Sequence, residues 1–462
     1  MGARFLYTFY MVMNRYRDTG PDPEKACVQV CFAVACSLLA MGFFCAPPAE
    51  LFQGYGRILT SRALLLSDYF IIGGMGASFF NAGVVMLLSM ALLRFTKAKY
   101  TAGVIAGLFL MPGFALFGKD AFNIQPFFLG VFLYCRYMRV PMRKHVMAAL
   151  YSTTLCPIVS EIFWNNPLPL PLRLLLGTLA GAFIGFTIVP LAEHLMRNHR
   201  GYILFNYGFA SGFVALLAMA ILRAAGGALE PSSLWSDGVH ENVRAYLVAV
   251  CGLLVLLGFS LSGWDYKGLP KLLRVTGCAP DNNMFDAVGI GLTMVNMGVI
   301  GFISIGYIVF IGGDFSGPVV GAIFTAIGFA AVGIQPRNFL PVLFSIWFFS
   351  LFGTRSTTDP VVQLAAIFGA AALSPVAGEY GFIAGFAAGL LHYALATFTG
   401  AFTGGLNLYN NGFAAGIVAT IMVTLLDTLA PSRTAWRLAK KKQEKAAKEA
   451  KDDETHTGYH GA

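Results

Sequence analysis

Long apolar stretches recur along nearly the whole chain, and they constrain the fold more than any other feature of the sequence. Five or more of them run for about 20 residues, the length that an α-helix needs to cross a bilayer. Charged residues make up 12% of the chain, about half of the roughly 25% usual in soluble domains. Soluble and disordered chains are therefore excluded. The alternation typical of outer-membrane barrels is absent, so an all-α integral membrane protein is predicted.

The charged ends and the cysteines fit this class. The net charge is +9, and eight of the 32 basic residues lie in 433–451. We interpret 431–462 as a basic cytoplasmic tail rather than a nucleic-acid site, because the aromatic and motif context of such a site is missing. Residues 1–25 have no cleavage site after them and are predicted to be a retained cytoplasmic segment. The eight cysteines contain no C-x-x-C, so no disulfide, metal or cofactor is expected.

The second half of the chain repeats the first, because five motifs recur in the same order. The pairs are Asn81-Ala82-Gly83-Val84 with Asn296-Met297-Gly298-Val299, Gly118-x4-Asn123-x2-Pro126 with Gly333-x4-Asn338-x2-Pro341, Pro157-x3-Glu161 with Pro375-x3-Glu379, Gly181-x3-Gly185 with Gly381-x3-Gly385, and Asn206-x-Gly208-Phe209 with Asn410-x-Gly412-Phe413. Five ordered matches indicate an internal duplication.

Each copy contains seven apolar segments, about 14 in all, and those around 101–138 and 316–353 could be re-entrant hairpins instead of full spans. The predicted parts are a first membrane repeat (26–225), an extracytoplasmic link (226–242) and a second membrane repeat (243–430). An odd number of crossings per copy places the second copy upside down relative to the first. Basic loops then alternate with loops poor in Lys and Arg, which predicts an inner-membrane protein with both termini in the cytoplasm.

Two asparagines lie half-way along apolar segments, Asn81 and Asn296, each preceded by glycines and followed by Gly83 or Gly298. An amide in hydrocarbon is costly unless it is paired. One interpretation is a broken helix that binds a solute at mid-depth. The alternative is a hydrogen bond that holds two helices together.

The G-x4-N-x2-P elements, with Asn123 and Asn338, indicate a helix end or hairpin. They are interpreted either as tight connections or as the mouths of a path. Lys119 and Asp120 occur in the first copy without counterparts in the second.

Glu161 and Glu379 are the carboxylates that the duplication repeats near apolar segments. A glutamate at the end of a span usually snorkels to the surface or caps the helix. The alternative is a proton or cation site that couples transport.

The N-x-G-F-A-x-G elements predict close helix packing, with Asn206 and Asn410 as helix caps. His392 is interpreted as a hydrogen-bonded buried imidazole in preference to a proton relay. Metalloprotease, serine-hydrolase and P-loop signatures are missing, so the chain is not expected to be an enzyme.

The duplicated N-x-G-F-A-x-G element resembles that of a family of uncharacterised bacterial multi-pass membrane proteins, over nearly the whole chain. A more distant resemblance is to urea transporters, whose halves carry N-P-x-S-G, G-x4-N and C-P elements. This sequence has Asn81-Ala82-Gly83, Gly118-x4-Asn123 and Cys156-Pro157 in that order, and departs from the pattern at Ala82. That resemblance implies inverted halves around a central path.

The sequence therefore predicts a transporter or channel for a small neutral or zwitterionic solute, in a path between the two repeats. Alternatives are a proton- or cation-coupled carrier that uses Glu161 and Glu379, and a membrane scaffold or lipid-interacting protein. The expected partners are the solute and the lipid bilayer, and a homo-oligomer is compatible with the sequence. The predicted substrate-binding residues are Asn81, Asn296, Asn123, Asn338, Gly83 and Gly298.

Overall fold

The computed structural model describes residues 23–229, 233–238, 240–279 and 282–429. The predicted basic tail (431–462) lies outside these residues, as does most of the predicted N-terminal segment (1–25). Most of the described residues are helical, and among them a single isolated bridge between Ser67 and Leu234 stands in place of a sheet.

The first half of the chain forms helices α1 to α10. They are α1 (Pro23–Cys45), α2 (Pro48–Leu59), α3 (Tyr69–Ile72), α4 (Met75–Thr96), α5 (Ala102–Phe114), α6 (Gln125–Tyr137), α7 (Val146–Ser152), α8 (Cys156–Trp164), α9 (Leu170–His199) and α10 (Asn206–Ala224). A 3-10 turn over Thr153–Leu155 joins α7 to α8, one residue before the Cys156-Pro157 pair.

The second half forms helices α11 to α18 in a matching order. They are α11 (Glu241–Leu261), α12 (Leu269–Leu272), α13 (Met284–Phe310), α14 (Gly317–Phe329), α15 (Pro336–Ser350), α16 (Pro360–Tyr380), α17 (Phe382–Thr403) and α18 (Asn410–Leu429).

Ten helices in the described chain are long and apolar enough to cross a membrane, counting α7–α8 as one, so five fall in each half. The expected 14 segments are not all spans. The helices α5, α6, α14 and α15 have 13 to 15 residues. At 1.5 Å per residue they reach about 20 Å and do not cross a hydrocarbon core of about 30 Å. We name 102–137 the first hairpin and 317–350 the second hairpin.

A backbone break precedes each repeated N-x-G motif. Gly74 (φ 87°) separates α3 from α4, and Gly289 (φ 80°) interrupts α13 at the equivalent position. Positive φ is accessible to glycine without steric cost. Ser78 Oγ and Thr293 Oγ1 then donate to the carbonyl oxygens of Gly74 and Gly289, at 2.8 and 2.7 Å. A helix break, which one of the two interpretations of the N-x-G motifs included, is therefore present in both halves.

The two hairpins pack on each other through small residues. A Cβ atom added to Gly113 of α5 would lie 2.7 Å from the Gly321 carbonyl oxygen of α14. At the equivalent contact, one added to Gly328 would lie 2.9 Å from the Ala106 carbonyl oxygen. Such distances leave no room for a side chain, so glycine permits the close approach of α5 and α14.

Asp68 connects three parts of the fold at the start of α3. Its carboxylate accepts hydrogen bonds from Phe70 N (2.9 Å), Ser236 N (3.0 Å) and Gly317 N (3.3 Å). Burial raises the pKa of this carboxyl group above its ordinary value, although the hydrogen bonds from Ser236, Phe70 and Gly317 act in the opposite direction. The first half, the link and the second hairpin are thereby held together.

Candidate functional site

Two non-helical segments, 200–205 and 404–409, run into the middle of the helix bundle before α10 and α18 begin. Leu204 N donates to the Ala372 carbonyl oxygen at 3.1 Å, well inside α16. Leu408 N donates to the Thr154 carbonyl oxygen at 3.0 Å, in the turn between α7 and α8. The first turns of α10 and α18 are therefore deep in the bundle.

These two helices cross at their repeated glycines. A Cβ atom on Gly412 would lie 2.9 Å from the Gly208 Cα atom, and one on Gly208 would lie 3.0 Å from the Gly412 Cα atom. Phe413 covers Gly212 in the same way as Phe209 covers Gly416. The close packing that the sequence predicted for N-x-G-F-A-x-G is present.

A first cavity of about 330 Å³ lies on one side of this crossing, between the two halves. Backbone and side chains of both copies line it, most of them aromatic, aliphatic or glycine. Its polar lining includes Thr101, Tyr151, Asn206, Asn282 and Asn411.

A second cavity of about 300 Å³ lies on the other side. Its lining includes Trp235 from the link, Arg355 after the second hairpin, Thr397 of α17 and Asn410 of α18. The two cavities thus occupy equivalent places in the two copies: Asn206 lines one and Asn410, its counterpart, lines the other.

Three residues line both cavities and therefore lie between them: Phe368, Leu408 and Asn411. Phe114 stacks on Phe368 with ring centroids 5.5 Å apart and contacts the Tyr409 ring at 4.5 Å. We name Phe114, Phe368, Leu408 and Tyr409 the aromatic partition. In this conformation the partition separates the cavities.

Tyr409 is fixed in the partition by polar contacts between the halves. Tyr409 N donates to Thr154 Oγ1 and to Asn407 Oδ1, both at 3.0 Å. Thr154 Oγ1 in turn donates to Asn407 Oδ1 at 2.9 Å. The second half therefore depends on the turn between α7 and α8 for the position of this tyrosine.

Lys119 lies behind the partition, at the tip of the first hairpin, and its side chain is fully buried. Its Nζ donates to Tyr409 OH at 2.5 Å and to Met111 Sδ at 3.4 Å. The same atom lies 4.7 Å from the centre of the Tyr409 ring and 5.3 Å from that of Phe114. Cation–π contacts and one hydroxyl thus surround a charge at the centre of the molecule.

The predicted site residues Asn81 and Asn296 fasten the hairpins. Asn81 Nδ2 donates to the carbonyl oxygens of Ala115 (2.7 Å) and Lys119 (2.8 Å). Asn296 Nδ2 donates to the equivalent oxygens of Ala330 (3.0 Å) and Ile334 (2.6 Å). The contacts are those of the interhelical alternative.

Asn123 and Asn338 close the hairpin tips. Asn123 Nδ2 donates to the Gly118 carbonyl oxygen at 2.9 Å, and its Oδ1 accepts from Asp120 N at 2.9 Å. Asn338 makes the same two bonds with Gly333 and Gln335, both at 2.9 Å. These contacts correspond to the tight-connection interpretation.

Gly83 and Gly298 are packing positions. A Cβ atom on Gly83 would lie 2.7 Å from the Leu39 side chain of α1. One on Gly298 would lie 2.6 Å from the Cys251 carbonyl oxygen of α11. In the described chain, none of the six predicted substrate-binding residues lines the first or second cavity. Their contact with a solute stays a prediction.

The two coupling candidates differ in environment. Glu161 is near the surface and accepts two hydrogen bonds from Arg62, each at 2.9 Å. Glu379 is buried near the end of α16, with 1% of its surface exposed. Neither residue lines either of the two cavities.

Asn206 and Asn410 do not cap their helices as predicted, because each is already the first helical residue and its side chain reaches back to the preceding helix. Asn206 Nδ2 donates to the Ala192 carbonyl oxygen at 2.9 Å, and Asn410 Nδ2 to that of Ala396 at 3.5 Å. His392 Nε2 lies 3.2 Å from Asn411 Oδ1, next to the partition.

Sequence reasoning missed the partition residues and left Lys119 outside the predicted site. A lysine without a counterpart in the other copy, inside an apolar stretch, was the available signal. The tyrosine that it contacts lies 290 positions away, and no local pattern links the two.

The fold and the two cavities define a multi-pass helical membrane protein with an internal duplication. A family model described as a protein of unknown function (DUF1576) matches residues 47–224 and 266–428. These regions cover most of the chain and divide it between the two copies, so the chain belongs to this family. Comparisons with curated proteins and with solved structures gave no match, and the resemblance to urea transporters is therefore unsupported.

Proposed function

We propose that this protein is an inner-membrane transporter that moves a small polar solute between its two halves. The observation that carries the proposal is the pair of cavities, about 330 and 300 Å³, that meet at one partition. Cavities of this size accommodate a small molecule. A partition shared by two cavities suits alternating access, in which the solute reaches one side at a time.

The same proposal includes an inverted arrangement of the copies. Each half contributes five spans and one hairpin that returns to the side it entered, which leaves an odd number of crossings. Equivalent residues also meet reciprocally, as at Gly208 and Gly412. A two-fold axis in the membrane plane accounts for both features.

The charge distribution orients the protein. The first cavity is lined at Thr101 and Gly201, beside loops that carry Lys99 and Arg200. The second is lined at Trp235 in the link, which is predicted to be extracytoplasmic. The positive-inside rule then gives cytoplasmic termini and a first cavity that faces the cytoplasm.

A carrier is favoured over an open channel because the aromatic partition closes the path in this conformation. The buried carboxyl group of Glu379 keeps a proton- or cation-coupled carrier as the second candidate, since ionisable groups in spans are typical of coupling sites.

Proteoliposome uptake tests the proposal, with a panel of small polar solutes and Asn411→Ala as the diagnostic variant. Asn411 lines both cavities, so its removal should reduce saturable uptake at least tenfold without loss of a monodisperse protein. Asn242→Ala, on the exposed first turn of α11, is the matched control. Uptake that Asn411→Ala leaves unchanged, or no saturable uptake of any solute, would contradict the proposal.

A further inference from the structure

Lys119 is the one lysine or arginine with a buried side chain in the described part of the chain. In the same part, no carboxylate forms an ion pair with its Nζ within 4.0 Å. The neighbouring Asp120 makes its hydrogen bonds inside the hairpin tip: its Oδ1 accepts from the backbone N–H groups of Phe122 and Asn123, and its buried Oδ2 has no hydrogen-bond partner among the described residues. The ammonium group therefore lacks a countercharge.

The surroundings of the ammonium solvate it only in part. A hydroxyl, a thioether and two ring faces contact it, and all four are neutral. The titratable groups that interact with it are the Cys156 thiol and the Tyr409 hydroxyl, and neither is a carboxylate. A buried cation is costly without an ionic partner, and such residues in membrane proteins mark solute pathways.

The position of the ammonium, next to the first cavity and a helix N-terminus, also favours binding of an anion. Its hydroxyl partner, Tyr409, belongs to the partition and lines the first cavity. The helix α18 begins at the next residue, Asn410, so the positive end of this helix lies beside the same tyrosine. Both features favour a negative charge at the inner end of the cavity.

We propose that the transported solute is an organic carboxylate whose anionic group pairs with the Lys119 ammonium when Tyr409 and Phe114 move aside. This inference rests on the proposed function and narrows its solute class. The apolar and aromatic lining of the first cavity would receive the rest of the molecule, so the solute carries an apolar body beside its carboxylate.

Matched carboxylate and amide probes test the proposal on the full chain in detergent and in proteoliposomes. The pairs are butyrate with butyramide, lactate with lactamide, benzoate with benzamide, and phenylacetate with phenylacetamide. We expect at least one carboxylate to raise Tm where its amide does not. The same carboxylate should be taken up at least tenfold faster than its amide. Lys119→Met should abolish both effects, whereas Lys119→Arg should keep part of them and Lys267→Met, at an exposed lysine that lines neither cavity, should keep both.

Thermal unfolding without probe gives an independent readout. Since replacing a buried, uncompensated charge with an apolar side chain of similar size is often neutral or stabilising, Lys119→Met should unfold at the wild-type Tm or above it. A lower Tm would show that the ammonium is a structural element, against the proposal. Equal effects of carboxylates and amides, effects of amides alone, or no effect of any probe would also overturn it.

The experiment separates the two proposals. If a neutral probe is taken up, and Asn411→Ala reduces this uptake while Lys119→Met does not, the transporter proposal is supported and the carboxylate proposal is refuted. Absence of saturable uptake for every solute and probe would remove both.

Discussion

Replacement of Asn81 by leucine tests whether this buried amide holds the first hairpin or binds the solute. The side chain is fully buried and its Nδ2 makes two hydrogen bonds, at 2.7 and 2.8 Å, to carbonyl oxygens of the hairpin tip. Leucine has the same branching and the same number of side-chain heavy atoms as asparagine, so the substitution removes both bonds without leaving a cavity. The equivalent change in the second half is Asn296→Leu, which removes bonds of 3.0 and 2.6 Å.

The expected loss follows from the number of bonds. Interhelical hydrogen bonds in a membrane protein contribute about 0.6 kcal/mol on average and up to about 1.7 kcal/mol each. Two bonds therefore contribute about 1–3 kcal/mol to the free energy of unfolding. Both variants should unfold several degrees below the wild type, and by similar amounts.

Differential scanning fluorimetry of the detergent-purified proteins measures this loss, with Asn242→Leu on the exposed start of α11 as the control. Uptake is measured in parallel. A variant that keeps the wild-type Tm but loses uptake would refute the reasoning, because the amide would then act on the solute and not on the hairpin.

Three further predictions concern the packing, the link and the coupling candidate. A Cβ atom on residue 412 would lie 2.9 Å from the Gly208 Cα atom, so Gly412→Val should lower both Tm and uptake. Gly56→Val, where an added Cβ has no neighbour within 4 Å in the described chain, should change neither. Asp68→Asn replaces one carboxylate oxygen with an NH₂ group, which cannot accept from the three backbone N–H groups that face it. The free energy of unfolding should therefore fall by about 1–3 kcal/mol in denaturation assays. Glu379→Gln should abolish accumulation against a gradient but keep downhill flux if the carrier is coupled; unchanged accumulation would exclude this residue as the coupling group.

Much of the architecture was predictable from local pattern. The apolar stretches indicated the membrane class, and the repeated motifs indicated a duplication with which the two regions matched by the family model are consistent. The positions of the helix breaks at Gly74 and Gly289 followed from their glycine-rich sequence, since a positive φ favours this residue. The sequence left open which of the 14 apolar segments are full spans, because apolar composition alone does not distinguish a helix of 13 residues from a longer span that includes its flanks.

The sequence by itself determined that the chain is a helical membrane protein and that its second half repeats the first, because hydropathy and repeated motifs are read over a few helical turns. Only the tertiary structure decided that Asn81 binds a hairpin tip while Tyr409 and Asn411 reach the cavities. It also brought Lys119 to a tyrosine 290 residues away. A side chain's partner depends on how distant helices cross, here at Gly208 and Gly412, and no local periodicity encodes that crossing.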